Sequence, residues 1–66
     1  MSYQIIRLKG VIAKTGLARS TIYAKLAEGQ FPEPIHLGPR AVGWVTEEID
    51  AWLEARVDAR DRREQN

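Results

Sequence analysis

The 66-residue chain contains no cysteine and a single histidine, His36. The first absence excludes disulfides and thiolate-held metals, and the second leaves His36 without a partner imidazole. No cofactor or metal ion is therefore expected. No apolar run approaches the roughly 20 residues that a membrane-spanning helix needs, and the N-terminus lacks the apolar core of a signal peptide. These absences point to a cytoplasmic location. A chain of this length forms one domain at most and buries only about 60% of its unfolded surface. So small a core leaves little room for a substrate cleft, and an enzyme is not expected.

Charge of one sign is also lacking overall, since ten cations face nine acids for a net charge of +1. The distribution is uneven. Up to residue 46, Arg7, Lys9, Lys14, Arg19, Lys25 and Arg40 face only Glu28 and Glu33, a balance of +4. From residue 47 onward, four arginines face seven acids, a balance of −3. The N-terminal part is thus suited to a polyanion. Chance clustering on a solubilising surface would look the same, so charge alone decides nothing.

What is present organises itself around Thr15-Gly16-Leu17-Ala18-Arg19-Ser20-Thr21-Ile22-Tyr23. Upstream, Leu8, Val11, Ile12 and Thr15 recur at helical spacing and predict a first helix over about 8–15. Gly10 weakens it slightly relative to alanine. Gly16 stops it, because glycine accepts a left-handed backbone. Leu17 plugs the corner, and Ile22 and Leu26 give a second helix its buried stripe, from Ala18 or Arg19 to Glu28, with Gly29 as its stop. A short glycine-bearing loop between two helices is the pattern of a helix-turn-helix, whose second helix enters the major groove of DNA.

Before this unit, Tyr3-Gln4-Ile5-Ile6-Arg7 reads as an edge strand. After it, two prolines hold Phe31-Pro32-Glu33-Pro34 extended. Ile35 to Trp44 forms two short apolar runs around Gly38-Pro39, a β-hairpin with Arg40 near its tip. A hairpin placed after a helix-turn-helix is a wing. His36 is read as an ordinary surface histidine. Thr46 is the expected N-cap of a third helix, with Glu47 and Glu48 complementing its dipole. Ile49, Trp52, Leu53 and Val57 share the face that covers the helix-turn-helix, and Trp44 and Trp52 are expected in the core. From Asp58 the chain turns polar, and residues 58–66 are expected to be a disordered tail, leaving 1–57 as the domain. The fold class is mainly α with a small β-hairpin: a winged helix-turn-helix of three helices.

The expected groove readers are Arg19, Ser20 and Thr21, because a cation and two short hydroxyls at a helix start suit phosphate oxygens and base edges. Tyr23 and Lys25 are assigned to flanking phosphates, Arg40 to the backbone or minor groove, and Lys9 and Lys14 to weaker contacts from the first helix. Packing against the first helix competes with phosphate contact at Tyr23, and simple solvation competes at Lys25.

Gly16-Leu17-Ala18-Arg19-Ser20-Thr21-Ile22-Tyr23, Gly29-Gln30-Phe31-Pro32, Ala41-Val42-Gly43-Trp44 and Glu48-Ile49-Asp50-Ala51-Trp52-Leu53 stand in an order and spacing that resembles the AlpA family of prophage regulatory proteins. The resemblance covers about residues 5–56. It implies a fold similar to the winged domains of MerR proteins and phage excisionases, and a nucleoid-associated transcription regulator of double-stranded DNA from a prophage or mobile element. An excisionase-type DNA-bending factor and a protein-interaction module built on the acidic third helix are the alternatives. A homo-oligomer on DNA and contacts with RNA polymerase or integrase stay open. Ala18 departs from the family's usual serine at the cap of the second helix, where Ser20 is the alternative cap.

Overall fold

The computed structural model describes residues 2–64. Its elements in chain order are β1 (Ile5–Ile6), α1 (Leu8–Thr15), α2 (Arg19–Ala27), β2 (Ile35–Gly38), β3 (Ala41–Val45) and α3 (Thr46–Glu64). The strands form an antiparallel sheet in the order β1-β3-β2. Three helices and a hairpin-bearing sheet in this sequence make a winged helix-turn-helix.

The two helices of the motif begin and end where local chemistry dictates. Gly16 closes α1 at φ 74°, donating its amide to Ile12 O at 2.9 Å. Thr15 braces the same turn: its hydroxyl donates to Val11 O at 2.7 Å and accepts the Leu17 amide at 3.2 Å. The expected apolar-face residue therefore works as a turn clamp. At the far end of α2, the Gln30 amide donates to Lys25 O at 2.8 Å and the Gly29 amide to Leu26 O at 3.1 Å. That pair of bonds is a Schellman closure, which satisfies two carbonyls the helix itself cannot. Gly10, a cost to α1 in isolation, has a packing reason. A Cβ at that position would lie 2.6 Å from Ile6 Cγ1, so only glycine lets β1 pack against α1.

The core consists of Val11, Ile22, Phe31, Trp44 and Ile49, with Ile6, Leu8, Ile12, Leu17, Leu26, Val42, Trp52 and Leu53 packed against it. Every element contributes except β2. The strand β3 lies between the other two and runs directly into α3, so Trp44 sits at the junction of sheet and helices. Its indole N–H donates to Pro32 O at 2.9 Å. Trp52 makes the parallel contact, donating to Gln30 O at 3.0 Å, and meets Phe31 edge-to-face at 4.9 Å. The Arg56 guanidinium carbon lies over Trp52, 5.8 Å from the ring centroid.

Four sequence expectations differ from this arrangement. Trp52 is half-buried, whereas Trp44 is fully enclosed. Val57 keeps the helical spacing of Ile49 and Leu53 but is 45% exposed. At about 1.5 Å per residue, α3 is about 28 Å long, and its last turns have no body left to cover. The polar stretch from Asp58, expected to fray or be disordered, continues as helix through Glu64, while residues 65 and 66 lie outside the described residues. Thr46 is the first residue within α3, and its amide donates to Gln4 O at 2.8 Å, extending the β1–β3 pairing by one bond.

Removing the enclosed indole is the most damaging change to this core. Trp44→Ala should cost about 3–5 kcal/mol, and Trp52→Ala about 2 kcal/mol, because part of its surface is already in water. Urea unfolding followed by circular dichroism checks the order; equal losses would mean that the two indoles are equally enclosed.

Candidate nucleic-acid interface

The helix α2 buries Ile22 completely and Leu26 partly, and this fixes which side chains face outward. Arg19, Ser20, Tyr23, Ala24 and Ala27 are exposed. Thr21 and Lys25, one turn apart, are half-buried on the flank beside Ile22. The expected trio Arg19-Ser20-Thr21 is therefore split: the first two open the exposed face and the third borders the core. Ala24 was not singled out from sequence, although its spacing of four from Ser20 marks it as a member of that face. The two exposed alanines leave the middle of this face low.

The start of α2 is unusually bare. Ala18 occupies the N-cap with φ −73° and ψ 156°, and no side chain bonds to the first-turn amides. Ser20 lies inside the helix, so it does not take over as cap. No acidic residue stands in the first turn, where Arg19 is instead the first residue. The Arg19 guanidinium lies over the Tyr23 ring, 5.7 Å from its centroid.

The remaining candidates lie on other elements. Lys9 is exposed on α1. Lys14 turns toward α3, and its Nζ is 2.8 Å from Asp50 Oδ1. Both partners are partly exposed, so the pair contributes about 0–1 kcal/mol, but it gives Lys14 a partner within the fold. Arg40 is exposed in the turn between β2 and β3. Around it the wing is open: His36, Ile35 and Leu37 are all exposed, and the pairing is irregular between His36 and Gly38. The hairpin thus has no dry face along β2.

A small helix-turn-helix with an arginine-led exposed helix and an arginine-tipped wing is the architecture against which relatives can be compared. The family model described as prophage CP4-57 regulatory protein (AlpA) matches residues 4–57. The chain belongs to the AlpA family. Among its relatives is the DNA-binding transcriptional activator AlpA of Escherichia coli strain K12, 46% identical over 59 residues, which span 80% of this chain and 84% of that protein. A second relative is the uncharacterized protein ORF88 of Enterobacteria phage P4, 37% identical over 59 residues, covering 89% of this chain and 67% of the phage protein. Membership agrees with the resemblance carried by the residues around Gly16, Gly29, Trp44 and Trp52.

The bare cap gives a direct test of the helix start. Ala18→Ser should supply an oxygen to the open amides and stabilise the protein by about 1 kcal/mol. For a domain of this size, that corresponds to a rise in Tm of about 4–8 °C by calorimetry. An unchanged Tm would show that a side-chain oxygen at position 18 does not reach them.

Proposed function

We propose that this protein is a DNA-binding transcriptional regulator of a prophage or related mobile element, with α2 in the major groove and the wing on the backbone or in the minor groove. The observation that carries the reading is the exposed face of α2, opened by Arg19 and Ser20 beside an uncapped helix start. Uncapped amides and the positive end of the helix dipole favour an anion, and a duplex supplies phosphates there. The relative in Escherichia coli is named a DNA-binding transcriptional activator, which supports the same assignment.

Within this reading the side chains divide by task. Arg19 and Ser20 read base edges, with Arg19 suited to the paired acceptors of guanine. The Ala24 methyl, low on the same face, suits a thymine methyl group. Lys25 and Lys9 contact flanking phosphates, which position the protein without specifying sequence. Thr21, on the flank, serves the edge of the contact. Arg40 follows the backbone or enters the minor groove. Lys14, tied to Asp50, is the weakest candidate of the set.

Reading and positioning separate in titrations of a preferred duplex and a scrambled one at two salt concentrations. Arg19→Ala should weaken binding to the preferred site by about 1–3 kcal/mol more than to the scrambled duplex. Arg40→Ala should weaken both by a similar factor and make the salt dependence shallower by about one unit of slope. Equal loss on both duplexes for Arg19→Ala would make Arg19 a phosphate anchor and move base reading to Ser20 or Ala24.

A further inference from the structure

Arg19 and Tyr23 stand one turn apart on the exposed face of α2, with the guanidinium carbon 5.7 Å from the ring centroid. Among the described residues the ion pairs are Lys14–Asp50 and Arg60–Asp61, so no carboxylate holds Arg19. The aromatic ring is what orients it. The geometry points to Tyr23 as a positioning residue: its ring fixes the Arg19 guanidinium in the conformation that meets DNA, while its hydroxyl is dispensable for sequence discrimination.

The two interactions of the guanidinium do not compete. The attraction between the cation and the ring face engages the charge and not a particular N–H, so the five N–H donors stay available for a pair of acceptors. Guanine presents such a pair, O6 and N7, in the major groove. A free arginine at the helix start would lose its rotamer freedom on docking; one already laid on a ring loses less. Tyr23 is 43% exposed and is not part of the core cluster, so replacing its ring leaves the buried side chains in place. Stacking of an exposed arginine on an aromatic ring corresponds to a factor of about two to five in affinity.

This inference rests on the DNA-binding reading above, and two measurements keep their failures apart. In the free protein, the Arg19 side-chain N–H resonance should carry a ring-current shift that survives in Tyr23→Phe and disappears in Tyr23→Leu. On DNA, a site selected by the wild-type protein from random duplexes is titrated against a scrambled duplex. Tyr23→Phe should keep the preference for the selected site, and Tyr23→Leu should reduce it about two- to fivefold. In an Arg19→Ala background, Tyr23→Leu should reduce it no further. A loss in Tyr23→Phe equal to that in Tyr23→Leu would assign the effect to the hydroxyl and overturn the inference. So would a full additional loss in the Arg19→Ala background, or an unchanged preference in Tyr23→Leu. If the wild-type protein selects no duplex at all, the DNA-binding reading itself falls, whatever the resonance shows.

Discussion

Two indole N–H groups bonded to one stretch of backbone hold this fold in register. The segment Gln30–Pro34 leaves α2 and enters β2, and its prolines at 32 and 34 keep it out of both helix and sheet pairing. Two of its carbonyls accept from indoles instead of from a helix or strand partner. Trp44 answers Pro32 and Trp52 answers Gln30, one from the central strand and one from α3. Phe31 lies between them, buried and edge-to-face with Trp52. The direction in which α2 ends and the wing begins is therefore set by the sheet and by α3 together. A loss at Trp44 removes both a large apolar side chain and the partner of a carbonyl. It loosens α2 and the wing at once.

Much of this was legible because the punctuation is strong. Gly16 and Gly29 mark helix ends through positive φ, and both do so at the residues expected. The wing was readable from Gly38-Pro39, and the extended segment before it from Pro32 and Pro34. The departures at Val57 and from Asp58 onward share one cause. Helical spacing identifies the side of a helix that would be buried, not the length over which a partner exists. Val57 and the residues beyond Asp58 continue the geometry of α3 past the edge of the body, so an apolar residue there is exposed and a polar stretch stays helical. The polar shift at Asp58 falls where α3 leaves the body, but it does not mark where the helix ends.

The exposed face of α2 was legible in part for a similar reason. The buried stripe of Ile22 and Leu26 gives the outward face of α2 by subtraction, which yields Arg19, Ser20, Tyr23 and Ala24 and moves Thr21 and Lys25 to the flank. Adjacency in sequence had grouped Thr21 with Arg19 and Ser20, but consecutive helical residues lie about 100° apart and cannot all face one way. Lys14 illustrates the other limit. Its partner Asp50 lies on α3, and no spacing rule connects α1 to α3 before the tertiary fold is known. One cation of the basic half is thereby matched from the acidic half, and the sharp division of charge along the chain is softer in space.

The three helix starts give the electrostatic argument its strongest form. The helix α3 opens with Glu47 and Glu48 and ends with Arg62 and Arg63, as the dipole favours. The two helices of the motif also end on a cation, Lys14 and Lys25, but their starts depart from the rule: neither has an acid in its first turn or a side-chain cap, α1 is preceded by Arg7 and carries Lys9, and α2 begins with Arg19. Each such placement costs a few tenths of a kcal/mol to about 1 kcal/mol in the free protein. The same chain thus follows the rule at the start of α3 and breaks it at both helix starts of the helix-turn-helix. Local rules broken together at one place are characteristic of functional sites. A polyanion docked there would convert each unfavourable charge into a favourable one, and the helix that covers the core has no such need.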